Sequence, residues 1–368
     1  MTSANEARDA EILAVRPFFC PIKPASSPWA AELNTLAEGW LSVQGFEPDW
    51  KQRERLSRAN LGELAARTMP DGHKNALANA TRQYVAFFAL DDACFDEPPM
   101  PLGRLTRKQS IILSAIQHPE TRWPGEDAYV TASRDIANGW KEIASPVQFQ
   151  RWVEGMRAFF FGVTWEAVHR HGRELPRLNE YVAMWMRAIG MSPVLALIDT
   201  VGGYEVPSSE LAHPQTQALV EMAHFLVAWD NDFISRAKEI QRAHDRLNIV
   251  DVIAAERGVE PVQALDAATA MRDRVMCLFL HTHDRLTSRP ATHQNLRKYA
   301  DGLANYIRGH LDWALSCDRY ANVRPPENDA PANEKAPPAS WKDAPDDDDF
   351  MSPLPIPAIA WWWTRNSQ

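Results

Sequence analysis

Cysteine is scarce in this chain, and its four cysteines suit neither a zinc site nor a disulfide framework. Cys20, Cys94, Cys277 and Cys317 include no pair at CxxC spacing. No apolar run approaches the roughly 20 residues that a membrane-spanning helix needs. The N-terminus also lacks the basic region and apolar core of a signal peptide. We therefore expect a soluble, cytosolic protein without a membrane span.

Strand patterns are missing as well, because no segment shows sustained period-two alternation bounded by turn residues. Helical periodicity is present instead, and we predict an all-α fold with no sheet. The longer predicted helices are 50–69, 73–97, 102–117, 126–144, 146–171, 177–200, 213–245, 261–286 and 290–320. Gly45 is expected to end an earlier helix that begins near Pro28, and Gly190 and Pro193 to break the helix at 177–200.

The charge balance excludes nucleic acid as a general partner. The net charge is −9 and the isoelectric point is near 5.7. We expect a flexible N-terminus at 1–16, a helical domain at 17–322 and a disordered Pro- and Asp-rich tail at 323–368. The apolar, aromatic end of that tail, from Met351 onwards, could instead dock on the domain or on a partner.

A cluster of carboxylates follows an aromatic run in YVAFFALDDACFDE, residues 84–97. In an α-helix Asp92 and Asp96 would share a face, with Asp91 beside them. Carboxylates this close repel one another unless a cation neutralises them. Oxygen-only ligands at the mouth of an apolar cavity suit Mg²⁺. A solvated acidic helix end is the alternative when this segment is considered alone.

A second polar stripe lies in VAWDNDFISRAKEIQR, residues 227–242. Asn231, Ser235 and Glu239 recur every four residues, which places three oxygen donors along one helix face. Lys238 and Arg242 lie beside the stripe, where they could meet an anion. An exposed polar helix face is the simpler alternative, but the joint pattern with the upstream aspartates is more specific.

With these two motifs in order, the sequence resembles bacterial class I terpene cyclases from about Pro17 to Tyr320. Two further segments carry the resemblance: the loop Gly202-Gly203-Tyr204-Glu205 and the ending Trp313…Ser316…Arg319-Tyr320. The resemblance implies a helical bundle around a central apolar cavity. It also implies an aspartate-rich motif and an NSE motif that hold three Mg²⁺ ions on the substrate diphosphate.

The site residues that the resemblance implies fall into three groups. The metal ligands are Asp91, Asp92, Asp96, Asn231, Ser235 and Glu239, with Asp91 the most direct ligand of the first motif. The diphosphate donors are Lys238, Arg242, Arg319 and Tyr320, with Arg187 as a poor further candidate. The pocket residues are Phe87, Phe88, Trp185, Ile189 and Trp313.

The sequence departs from the family at one position. Counting back from the NSE motif places Trp185 where the family has an arginine that senses the diphosphate. Arg187 lies two residues further on, about 200° around a helix, so it points elsewhere unless the helix is rewound. By the same count Ile189 occupies the carbonyl-donor position.

The implied reaction is the Mg²⁺-dependent cyclisation of an allylic prenyl diphosphate, by default farnesyl diphosphate, to a terpene. Geranyl or geranylgeranyl diphosphate would need only a shallower or a deeper pocket. A chain-elongating prenyltransferase would normally carry two aspartate-rich motifs, so it ranks well behind. An inactive helical binding protein is favoured only by Trp185. Family members often form homodimers, but the sequence reveals no dimer face.

Overall fold

The computed structural model describes residues 15–46, 50–96, 100–172, 174–243, 246–321 and 341–366, and they form the predicted all-α fold. The helices are α1 (Ala30–Gln44), α2 (Trp50–Arg58), α3 (Leu61–Thr68), α4 (Lys74–Leu90), α5 (Leu102–Gln117), α6 (Ala128–Ile143), α7 (Pro146–Gly172), α8 (Leu178–Ala188), α9 (Met191–Leu195), α10 (Ile198–Val201), α11 (Ser208–Leu211), α12 (Pro214–Ala243), α13 (Ile249–Arg257), α14 (Pro261–Ser288), α15 (Gln294–Ser316), α16 (Asp318–Ala321) and α17 (Trp361–Asn366).

Helix boundaries follow local chemistry. Gly45 has φ of +66° and ends α1, as its sequence predicts, because glycine adopts left-handed backbone without a Cβ penalty. At the start of α14, Glu260 and Gln263 form a reciprocal capping box and Pro261 occupies the first turn. These signals set where α1 ends and where α14 begins.

Helix α12 runs through the middle of the bundle and packs against α14 and α15. Its side chains from Met222 to Trp229 are almost entirely buried, apart from His224. Trp229 stacks on Phe225 at 4.0 Å between ring centroids and donates to the carbonyl of Ala268 on α14 at 3.1 Å. These contacts hold in place α12, the helix that carries the NSE motif.

The break that the sequence predicts near Gly190 is present. Helix α8 ends at Ala188, Gly190 has φ of +78°, and α9 begins at Met191. The segments Leu178–Ala188 and Met191–Val201 meet at a bend of 49°. Within the described residues no single helix is long and apolar enough to cross a membrane, and only this bent pair has the length and composition when taken together.

The C-terminal segment differs from the predicted disordered tail over its described part, residues 341–366. Trp341–Lys342 (β2) pairs in parallel with Phe18–Phe19 (β1), so the prediction of no sheet was wrong at this one ladder. The ladder is two residues long, which is too short for any sequence pattern to signal. Trp362 is fully buried against Phe225 of α12, and its Nε1 donates to Glu221 at 2.8 Å. The apolar end therefore docks on the domain, which is one of the outcomes that its composition left open.

Candidate active site

The first acidic motif lies on a π-helical turn, residues Asp91–Asp96, that continues α4. The prediction of an α-helical Asp92–Asp96 face was wrong, because a π-turn is wider than an α-turn. The Asp91 side chain is 42% exposed and lines a central cavity, whereas the Asp92 side chain is only 7% exposed. The Asp96 side chain lies outside the described residues. We call residues 91–96 the aspartate turn.

The buried Asp92 carboxylate forms an ion pair with Arg319, which lies on α16. Arg319 donates from both terminal nitrogens to the two Asp92 oxygens, at 2.8 and 3.2 Å, and lies over the Phe88 ring at 4.7 Å. Burial opposes the charge on Arg319, but pairing with Asp92 outweighs it and raises the Arg319 pKa. Its Nε is also buried and has no partner among the described residues, although the side chain lines the cavity.

The three residues of the NSE motif line the same cavity from α12. Ser235 Oγ donates to Glu239 Oε1 at 2.5 Å, and Asn231 Nδ2 donates to the hydroxyl of Tyr320 at 3.3 Å. Glu239 also accepts from Asn248 Nδ2 at 3.1 Å. The predicted stripe is therefore a single face of α12. The side chains of Lys238 and Arg242 lie outside the described residues.

Asp232 supports this face from within the core, a role that the sequence analysis did not assign. It accepts from the Tyr181 hydroxyl at 2.6 Å and from the backbone N–H of Ile249 at 2.9 Å. Burial and the Glu239 charge raise its pKa well above the usual range. Asn248 also donates to the Asp232 carbonyl at 2.9 Å. These bonds tie α12 to α8 and to the start of α13.

The predicted pocket residues Phe87, Phe88, Trp185, Ile189 and Trp313 all line the cavity. Phe88 packs edge-on against Trp313 at 5.7 Å between centroids, and Trp313 packs edge-on against Tyr320 at 6.0 Å. Trp313 Nε1 is satisfied by the carbonyl of Ala59 at 2.7 Å, so its ring is held in place. The cavity thus has an aromatic wall and an acidic end.

The structure places Trp185 and Arg187, the two residues considered for the sensor position, on different sides of α8. Trp185 lines the cavity and donates from Nε1 to the carbonyl of Ala228 at 3.1 Å. Helix α8 is regular through Ala188, so Arg187 projects away, is exposed and donates to the Ala183 carbonyl. The candidate role of Arg187 at the diphosphate does not fit, because its side chain lies outside the cavity.

Among the cavity residues that the sequence analysis did not identify are an acid, an arginine and a histidine, namely Glu166, Arg170 and His310. Glu166 and Arg170 lie on α7 and form an ion pair at 2.8 Å. His310 is 7% exposed, and burial lowers its pKa to about 4. The Glu-x-x-x-Arg spacing was a readable signal for the pair, but periodicity alone did not show that this face of α7 borders the cavity.

The donor set fits Mg²⁺ by its chemistry. An amide oxygen, a hydroxyl and a carboxylate lie on one stripe and a further carboxylate, Asp91, lines the same cavity, and Mg²⁺ prefers oxygen ligands. The described residues contain no group of three His, Cys, Asp or Glu side chains placed to hold a metal. A site here must therefore combine Asn231 and Ser235 with carboxylates, as the NSE motif does.

Comparison with protein families gives a match over residues 82–277 to terpene synthase family 2, C-terminal metal binding. The matched span contains both the aspartate turn and the NSE motif. It ends before Arg319 and Tyr320, so the assignment of those two residues to the site rests on their position in the cavity lining.

Two characterised relatives and one solved structure match nearly the whole chain. Spiroviolene synthase of Streptomyces violens is 32% identical over 351 residues, covering 94% of this chain and 96% of that protein. A T-muurolol synthase of Streptomyces clavuligerus, described as cyclising (2E,6E)-farnesyl diphosphate, is 30% identical and covers 94% of this chain and 81% of its own. The crystal structure of the SVS_A2 protein from ancestral sequence reconstruction superposes with a TM-score of 0.83 at 29% identity, covering 96% and 99% of the two chains.

Proposed function

The chain belongs to the bacterial class I terpene synthases, lyases that act on prenyl diphosphates, and we propose that it cyclises farnesyl diphosphate to a sesquiterpene. One observation carries the proposal: the aspartate turn and the NSE motif reach a single cavity that also has a wall of aromatic and apolar side chains. The name of the T-muurolol synthase relative supports farnesyl diphosphate as the substrate.

Three Mg²⁺ ions are expected at the polar end of the cavity. Asp91 would hold them from the aspartate turn, with Asp92 and Asp96 in support, and Asn231, Ser235 and Glu239 would hold them from α12. Bound Mg²⁺ would neutralise the diphosphate and act as a Lewis acid on its leaving oxygen. The hydrogen bonds from Ser235 and Asn248 to Glu239 support this assignment, because they hold its carboxylate at the stripe.

The protein's own donors would stabilise the departing diphosphate. Arg319 lines the cavity, and its pairing with Asp92 holds the guanidinium there, so it would present a positive charge to a bound anion. Tyr320 lies beside it and already contacts Asn231. Lys238 and Arg242 are expected to add donors from α12. Heterolysis of the allylic C–O bond then leaves the electron pair on the diphosphate and a carbocation in the cavity.

The aromatic wall would protect and steer that carbocation. Phe87, Phe88, Trp185 and Trp313 present ring surfaces, and each well-placed ring contributes about 0.5–2 kcal/mol to binding a cation. Ile189 lies at the break between α8 and α9 and completes the apolar lining. Exclusion of water keeps the cation from being quenched before the ring closes. The final proton passes to diphosphate or to water.

An incubation of the purified protein tests this function. Geranyl, farnesyl and geranylgeranyl diphosphate are supplied separately, with Mg²⁺ or with chelator, and volatile products are identified by mass spectrometry. A Mg²⁺-dependent cyclic hydrocarbon or alcohol from farnesyl diphosphate is the expected result. Product from only a shorter or longer substrate would reassign the chain length.

Two further results would contradict the proposal. A longer prenyl diphosphate, formed when isopentenyl diphosphate is added, would indicate a chain-elongating transferase. Absence of product from all three substrates would favour the inactive binding protein. Homodimer formation, expected from the family resemblance, stays a prediction that light scattering in solution can test.

A further inference from the structure

Arg170 lies at the acidic end of the cavity, in the last turns of α7. The residue lines the cavity, and its side chain is 13% exposed. Nη2 lies 2.8 Å from Glu166 Oε1, and Nη1 donates to the carbonyl of Phe95 at 3.1 Å. Because Phe95 belongs to the aspartate turn, these bonds hold the positive charge beside the first metal motif.

The described cavity lining contains two guanidinium groups, and they reach the aspartate turn from different elements. Arg319 comes from α16 and pairs with Asp92, whereas Arg170 comes from α7 and binds the Phe95 carbonyl. A planar guanidinium matches the oxygens of a phosphate group and can donate to two of them. An anion at this end of the cavity would thus have cationic donors on two sides.

The neighbouring helix α8 packs against α7 but adds no cation to this wall. Its cavity-lining residues are Trp185 and Ala188, and Arg187 is exposed. Among the described side chains of α7 and α8, Arg170 alone brings a positive charge to the cavity lining. The position of that charge is fixed by Glu166, one helical turn earlier on the same face.

We propose that Arg170 is a diphosphate-binding residue, which donates hydrogen bonds to the substrate diphosphate and stabilises it as the C–O bond breaks. This inference rests on the proposed function. Glu166 is the positioning residue that orients the guanidinium. A purely structural role, in which Arg170 only ties α7 to Phe95, would affect stability and leave diphosphate affinity unchanged.

Binding of inorganic diphosphate separates these roles without requiring turnover. Calorimetric titration in the presence of Mg²⁺ compares the wild type with Arg170→Gln and Arg170→Lys. Loss of a hydrogen bond from a charged donor weakens binding by about 10- to 100-fold. We expect a loss of that size for R170Q and a smaller one for R170K. The matched control is Arg157→Gln, since Arg157 lies on the same helix, is exposed and pairs with Glu154.

The design also controls for folding. Because R170Q leaves the Glu166 carboxylate without its partner guanidinium, the double variant Glu166→Gln/Arg170→Gln is measured alongside, and melting temperatures accompany every titration. The double variant should show the same loss of diphosphate affinity. If R170Q does not fold, R170K and the double variant decide the matter.

The outcomes distinguish this inference from the function on which it rests. Wild-type diphosphate affinity in R170K, R170Q and the double variant, with an active wild-type enzyme, would overturn the role of Arg170 and leave the function standing. A wild-type protein that neither binds diphosphate with Mg²⁺ nor turns over any prenyl diphosphate would overturn both. Weakened binding in the Arg170 variants, with R157Q unchanged, would support the assignment.

Discussion

Asp91 and Asp92 are adjacent in sequence, yet the structure predicts that their amide variants fail in different ways. Asp92 is buried and accepts two hydrogen bonds from Arg319, at 2.8 and 3.2 Å. Asp91 is 42% exposed and lies 3.8 Å from the same guanidinium. Asp92→Asn therefore removes the charge that neutralises a buried arginine, whereas Asp91→Asn changes a carboxylate on the cavity surface.

The expected magnitudes follow from burial. Removing one partner of a buried ion pair costs about 3–5 kcal/mol, because the other charge stays buried. Asp91 is 42% exposed and lies 3.8 Å from the guanidinium, so solvent screens this contact and Asp91→Asn should change the free energy of unfolding by about 1 kcal/mol or less. Asp91 is the proposed direct metal ligand, and loss of one such electrostatic contact typically lowers turnover by about 100-fold.

Urea unfolding followed by circular dichroism measures the first effect, and product formation under saturating Mg²⁺ measures the second. Asp135→Asn, at an exposed position on α6, is the control for loss of a carboxylate. An Asp92→Asn protein as stable as the wild type would refute the role of Asp92 as the buried partner of Arg319. Undiminished turnover in Asp91→Asn would show that Asp91 is not a metal ligand.

Three further predictions concern the cavity and the docked tail. His310 has a pKa of about 4 against an unfolded value of 6.5, so the unfolded chain binds the proton first as pH falls. This residue should therefore lower the free energy of unfolding by about 2 kcal/mol from pH 7 to pH 5. Urea titrations of His310→Gln should show a shallower pH dependence of that free energy. An equal pH dependence in the variant and the wild type would contradict the prediction. Trp362→Ala should lower the free energy of unfolding by about 3–5 kcal/mol, because the ring is fully buried. Met351→Ala, at a side chain that is 67% exposed, should change it by under about 0.5 kcal/mol. Equal stability of the two variants would show that the tail does not dock. Tyr320→Phe removes the hydroxyl that contacts Asn231 and should lower kcat by about tenfold with normal folding, and an unchanged kcat would exclude Tyr320 from the diphosphate site.

Helix positions were predictable because the signals are local. Gly45 and Gly190 supply left-handed backbone where α1 ends and where α8 breaks, and each is visible in the sequence. The π-helical form of the aspartate turn was not predictable, since the spacing of Asp91, Asp92 and Asp96 suits an α-helix equally well. Its consequence is large: the turn separates a cavity-facing Asp91 from a buried Asp92.

Candidate site residues were predictable where a motif fixes both residue type and spacing. Asn231, Ser235 and Glu239 follow one helical face, so their common exposure to the cavity needed no tertiary information. Arg170 and His310 belong to no such pattern. Their position depends on how α7 and α15 pack around the cavity, which is decided by contacts between helices distant in sequence.

The docked tail helps to position Asn231, Ser235 and Glu239, the proposed metal ligands of the NSE motif, because both the tail and the motif depend on α12. Trp362 packs on Phe225 and bonds to Glu221, so the tail covers the part of α12 that precedes the NSE motif. Trp229 lies about 200° around the helix from Asn231 and anchors the back face to α14. Since one face of a rigid helix cannot shift without the other, contacts that fix the back of α12 also fix the direction of Asn231. Loss of the tail should therefore weaken the metal site as well as the fold.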